Sequence, residues 1–276
     1  MKAGRPLHLG LLLILWISVS SFGALPDLAG MWAMVQVYPQ TAILPFAGEV
    51  TRTSYVVQWV DIEQHGAALT MRDTYCLTFV DDGTTLVTTE IPGTFMAALR
   101  PLPRTATLSE QDGAIAFVQQ PYLEVRGAVL DNAEEDELPI SPDDPRVFDQ
   151  DEDGFPGMTV FVKILGIVEG QTYVVQRVRY ELLGRVVSQD RIEGVIMWSD
   201  EQMVLDATNP LLEVDTIGYP DPDPAKHVFI MVRLQEALTC EWLQENWWEL
   251  FGFEQPRDTS SGSWPQLDPA DCCCLV

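Results

Sequence analysis

The chain has 276 residues, with 41 Asp and Glu against 16 Lys and Arg and a formal net charge of −25. It is 47% apolar and only 21% charged, so it can bury a core and is no disordered acidic polymer. The charge argues against nucleic acid as a partner and against anionic membrane surfaces, since both demand a basic footprint.

Residues 1–23 read as a signal peptide. Lys2, Arg5 and His8 form a positive start, Leu9 to Ile17 an apolar run, and Ser18 to Ala24 a mostly small-residue stretch with cleavage expected after Gly23. The run is short of the roughly 20 apolar residues that a spanning helix needs. No second long apolar segment follows, so the expectation is an exported protein with no membrane span once the signal is removed.

From residue 31 onward, Val, Ile, Thr, Tyr, Phe and Trp cluster in short runs broken by Gly, Pro and Asp, the pattern of β-strands. Strands are expected at 31–38, 49–63, 67–80, 84–90, 114–119 and 121–130, then at 158–168, 171–183, 185–198 and 227–234. In 67–80, Leu69, Met71, Tyr75, Leu77 and Phe79 alternate onto one face, with Asp73 as the exception, and Cys76 falls on the other. That is the period-2 signature of a half-buried antiparallel strand. Glu169-Gly170 and Gly184 leave room only for hairpins between the strands they separate. The fold class expected is all-β, an antiparallel meander forming a barrel or strongly curved sheet, with one C-terminal amphipathic helix. The helix is expected from about Gln235 to Phe251, where Leu and Trp recur at three- and four-residue spacing, with Gly252 as its stop. One domain over 24–253 results, carrying an acidic insertion at about 131–157 and a polar, disordered tail at 254–276.

Cys76 and Cys240 can pair in an oxidising compartment, the alternative being two buried free thiols. A helix packed on the polar side of strand 67–80 would bring Cys240 to Cys76, and that disulfide is the expectation. The triplet Cys272, Cys273 and Cys274 has no assigned role and reads as part of an unstructured terminus.

The strongest local motif is Asp149-Gln150-Asp151-Glu152-Asp153-Gly154. Alternate carboxylates converge on one point if the backbone curls, and Gly154 supplies the turn. Such close like charges repel without a cation between them. Calcium is therefore the expected cofactor, held by Asp149, Asp151 and Asp153 and by the Phe155 carbonyl at the seventh position. The twelfth position is Val160 rather than a bidentate Glu, and Phe155-Pro156-Gly157 runs straight into a strand, so the loop is not an EF-hand. Water or an acid from 131–144 is expected to complete the site. The alternative is a solvated acidic linker.

Arg177, Arg179 and Tyr173 share one strand face, with Arg185 and Arg191 on the next strand. Facing inward, they would receive an anionic ligand group. Facing water, the arginines would cross-pair with Glu181, Asp190 and Glu193. The first arrangement makes Arg177, Arg179 and Tyr173 ligand-binding candidates. His65 and His227 are the histidines outside the signal segment, and no nucleophile elbow, zinc pattern or phosphate loop is present, so no catalytic residue is assigned.

Two resemblances bear on function. Gly30-Met31-Trp32 at the first strand resembles the G-x-W start of lipocalin-like barrels, which implies a Trp closing the barrel floor. Asp149 to Gly157, followed by the strands around Tyr173–Arg177 and Asp190–Gly194, resembles uncharacterised exported bacterial β-rich proteins with a D-x-D-x-D-G-x-P-G loop, and that resemblance implies no activity. Together these readings lead to a secreted, non-enzymatic binding module with a calcium-binding loop, holding a small apolar or amphipathic ligand. A carbohydrate-active enzyme and a surface interaction protein are the alternatives.

Overall fold

The computed structural model describes residues 25–44, 47–213, 217–236 and 238–256; the signal segment, most of the tail and Cys272, Cys273 and Cys274 lie outside them. In chain order the elements are β1 (Gly30–Leu44), β2 (Gly48–His65), β3 (Ala68–Asp81), β4 (Val87–Glu90), α1 (Gly93–Ala98), β5 (Arg104–Gln111), β6 (Ala114–Arg126), β7 (Met158–Ile164), β8 (Val168–Ser188), β9 (Arg191–Ala207), β10 (Ile217–Pro220), β11 (Val228–Arg233) and α2 (Cys240–Phe251). The strands pair in the order β4-β7-β8-β6-β5-β3-β2-β1-β11-β9, β10 adds to β1, and β9 returns to β8. Eight strands thus form a ring, with antiparallel pairing throughout.

Closure depends on β8. Its 21 residues carry β9 along one side. On the other side they carry β7 over Val168–Val174 and β6 over Gln176–Val186. The strand does not break at Gly170 or Gly184, as the sequence reading expected. Instead the turns fall at 165–167 and 189–190. Gly184 faces Gly194 across the ladder, and a Cβ on either would lie 2.6 Å from the Phe229 ring. The two glycines make room for an aromatic plug rather than a turn.

Other boundaries moved for similar reasons. Residues 114–126 form one strand with an irregularity between Gln119 and Tyr122, not two strands. The sequence reading also missed β5, α1 and β10, and α2 begins only at Cys240, where the Thr239 side chain accepts the Trp242 N–H as N-cap. Gly252 ends α2 in the left-handed region, as expected.

On β3, the register slips between Val57/Gln58 of β2 and Leu77/Tyr75, leaving Cys76 unpaired in a bulge. The phase of the alternation flips there. Leu69, Met71 and Tyr75 face into the ring, whereas Leu77 and Phe79 face outward beneath α2. Leu243, Trp247 and Phe251 of α2 cover Ala33, Val35 and Val57 on this outer face. The Cys76–Cys240 disulfide joins helix to sheet, with 5.0 Å between the Cα atoms.

The ring interior changes along its axis. At one end Trp32, Met71, Phe117, Leu182, Ile192 and Phe229 fill it, and the Arg233 guanidinium lies 4.8 Å over the Trp32 ring. One step along successive strands stands a polar layer of Gln36, Gln58, Asp73 and Gln119. Its central contact is a bidentate ion pair between Asp73 and Arg104, at 2.5 and 2.6 Å, with both side chains out of contact with solvent. Arg104 also donates to Gln119 Oε1 at 2.5 Å. Asp73 breaks the apolar alternation of its strand because it meets this arginine inside the ring. Beyond the layer the interior is hollow.

Candidate functional site

The acidic insertion lies against the outer face of β8 and β9. Ala128 and Leu138 bury themselves on Val175 and Leu205, and Arg177 donates to the carbonyls of Ala133 and Asp136 at 3.2 and 2.6 Å. Arg177 also grips Glu201, while Arg179 bridges Glu201 and Glu134. The arginine bonds hold the Glu201 carboxyl below its usual range. Both arginines therefore face away from the ring interior and pin the insertion to the sheet. The inward arrangement that made them ligand-binding candidates is not the one adopted, and their partners are Glu201 and Glu134 rather than Glu181, Asp190 and Glu193. Arg177 and Arg179 alternate along β8 with the inward Gln176 and Val178, so their side was set by the phase in which β8 joins the ring.

At the C-terminal end of the insertion the chain curls as its spacing predicts. Backbone bonds from Gln150 N to the Gly157 carbonyl (3.1 Å) and from Gly157 N to the Phe148 carbonyl (3.0 Å) pinch the loop shut. Gly154 takes a φ of +90°, a conformation other residues adopt only under strain. The carboxylates of Asp149, Asp151 and Asp153 converge so that one oxygen from each lies within 4.8 Å of the others. Asp149 accepts the N–H groups of Asp153 (3.2 Å) and Gly154 (2.8 Å). Asp153 accepts the Phe155 N–H at 3.0 Å and the Thr159 hydroxyl at 2.5 Å.

Asp151 is the most informative of the three. It is only 8% exposed, and its Oδ2 accepts the Thr159 N–H at 2.9 Å, but its Oδ1 has no hydrogen-bond partner. Burial pushes its carboxyl up to about 6, against the Thr159 bond that lowers it, and the charges of Asp153 and Asp149 add to the rise. A buried carboxylate with one oxygen lacking a donor, clustered with two more carboxylates, is an arrangement that a hard cation satisfies.

Phe155 stacks on Tyr173 with ring centroids 4.5 Å apart and planes 9° from parallel. Tyr173, grouped from sequence with the two arginines, thus supports the acidic loop from β8. The acids of 131–144 do not join the triad among the described residues. Glu134, Asp136 and Asp144 are engaged by Arg179, the Asn132 N–H and Arg146.

A second candidate is the hollow half of the ring, a cavity of about 250 Å³ between β1, β2, β8 and β9. Arg52, Arg126 and Asp200 are its charged lining, with Gln36, Tyr38 and Trp198 among the polar and aromatic walls. Sequence reasoning assigned none of these. The available signal was the alternation Ile196, Trp198, Asp200, Gln202 on β9, which places two polar groups on the face that carries a core isoleucine. A shallower hollow lies outside the ring between α1 and the acidic insertion, floored by Gln150 and Asp151. Comparison with protein-family models, curated proteins and solved structures finds no match.

Proposed function

We propose that this chain is an exported, non-enzymatic binding module whose acidic loop takes calcium and whose ring interior holds a small amphipathic ligand. The observation that carries the reading is the Asp151 carboxylate, whose Oδ1 is buried without a donor and which converges with the carboxylates of Asp149 and Asp153. Those three side chains and the Phe155 carbonyl would hold the ion, with water completing the shell. Calcium supplies the positive charge that lets three carboxylates share one loop, and it fixes the start of β7 through Thr159, which already binds both Asp151 and Asp153. The disulfide is consistent with an oxidising compartment, and the leader-like first 23 residues support export.

Thermal melts with calcium and with chelator test this reading. Calcium is expected to raise the melting midpoint, by about 2.7 kcal/mol of stability when it is present at one hundred times its dissociation constant. Asp151→Asn is expected to weaken binding on the order of tenfold or more, because ligand charge sets affinity in such loops, whereas Asp143→Asn leaves it unchanged. Equal losses from both variants would mean diffuse attraction to an acidic surface. An unchanged midpoint with no calorimetric signal at several millimolar calcium would reduce the loop to a linker.

A further inference from the structure

The hollow half of the ring holds an imbalance of charge. Arg52 lies 3.2 Å from Asp82. Arg126 grips Glu124 through two nitrogens at 2.7 and 2.9 Å, and its guanidinium lies over the Tyr75 and Phe95 rings. Asp200 forms no ion pair among the described residues. Counted with Asp82 and Glu124, which pair with the two arginines without lining the cavity, these five groups leave one carboxylate without an ion-pair partner. Asp200 is an exposed residue that lines the cavity, unlike the solvent-free Asp73, and desolvation by nearby protein atoms raises its pKa, with Arg52 and Arg126 opposing the rise.

Two further features define what would satisfy Asp200. Trp198 and Tyr38 meet edge to face beside it, with centroids 5.1 Å apart, and supply electron-rich surfaces that attract cations. Gln36 is 1% exposed, and its Oε1 already accepts the Tyr38 hydroxyl at 2.8 Å, but its Nε2 has no partner. Gln36 lines the cavity, and its buried donor lacks an acceptor. Access comes from the wall itself. β11 pairs with β9 only as far as Val195, and β10 pairs with β1, so among the described residues only β8 pairs with β9 at Asp200 and Gln202. A volume of about 250 Å³ is below the roughly 300–1,000 Å³ of drug-sized sites. It exceeds the about 150 Å³ of a cavity that accommodates benzene, leaving space for one ring and a short chain.

We infer that the hollow half of the ring binds a small amphipathic monocation, an arylalkylamine in chemical class, with its ammonium on Asp200, its apolar body against Trp198 and Tyr38, and a hydroxyl or carbonyl oxygen accepting from Gln36. This rests on the reading of the ring as a ligand-holding module and specifies the sign of the ligand's charge. The net negative charge of the chain favours the approach of cations on the same grounds.

The test uses three probes of one shape, titrated calorimetrically into the calcium-saturated protein: tyramine, neutral 4-ethylphenol and anionic 3-(4-hydroxyphenyl)propanoate. The expected order of affinity is amine, then neutral, then acid. Asp200→Asn is expected to weaken tyramine about tenfold, the worth of one charge-assisted hydrogen bond, and to leave 4-ethylphenol unchanged. Asp206→Asn, an exposed acid on the same strand, is expected to change neither. Tighter binding of the acid, or no effect of Asp200→Asn on tyramine, overturns the inference while the ligand-holding reading stands. If none of the three binds at millimolar concentration, both fall. Ser54→Phe, which fills the cavity, is expected to abolish binding of all three, and binding that survives it is binding elsewhere and also overturns the inference.

Discussion

The two halves of the ring interior share β1, β2, β3, β6, β8 and β9 but do opposite things; β5 and β11 help to fill the first, and β4, β7 and α1 help to wall the second. At the packed end, inward positions carry Trp32, Met34, Val60, Ile62, Leu182 and Phe229, and no room is left. Four to six residues along β1, β2 and β8 the inward positions become Tyr38, Ser54 and Gln176, β9 adds Asp200 and Gln202, and the interior opens. Between them stands the layer of Gln36, Gln58, Asp73 and Gln119. One end supplies the burial that holds the ring closed, at roughly 25 cal/mol per Å² of apolar surface removed from water. The stability of that end permits the other to keep unpaired polar groups, which cost free energy until a partner satisfies them.

Breaking the dividing layer is expected to have the largest effect. Asp73→Ala leaves Arg104 charged, buried and without its carboxylate, and should cost about 3–5 kcal/mol in denaturant unfolding. Replacing Asp73 and Arg104 together by apolar residues should cost far less, because no charge is then stranded. Phe117→Ala at the packed end follows, with a loss of about 3–5 kcal/mol from the cavity it creates beside Phe229. The sharpest contrast lies in adding bulk. Ala106→Leu, 1% exposed among packed neighbours, should cost about 1–3 kcal/mol by overpacking. Ser54→Val, which lines the hollow half, should change stability by less than about 1 kcal/mol, since its added methyl groups enter open space. Equal costs for Ala106→Leu and Ser54→Val would mean that both ends are filled alike in solution.

The acidic loop shows how far local spacing reaches. Three carboxylates on alternate residues with a glycine after them converge as their spacing predicts, because the bonds that close the loop all lie between Phe148 and Thr159. The arginines of β8 show the limit. Their shared face was evident from period-2 spacing, but the face they turned to depended on the phase of β8 against β6, β7 and β9. The cavity lining was hidden for the same reason, with the added obstacle that polar residues on a strand ordinarily mark its solvent side. Here Asp200, Gln176 and Gln36 point inward.

The sequence by itself determined the antiparallel β-rich class, the succession of β7, β8 and β9 as hairpin neighbours, the glycine that ends α2 and the curl of the aspartate triad. Each follows from alternation, turn chemistry or backbone conformation within about a dozen neighbouring residues. The closure of β9 onto β8, the bulge at Cys76 that turns Leu77 and Phe79 outward beneath α2, the meeting of Asp73 with Arg104 and the hollow half of the ring were decided only by tertiary structure. These depend on which distant strands pair and in what register, and a slip of one residue, as at Cys76, exchanges the inner and outer faces of everything beyond it.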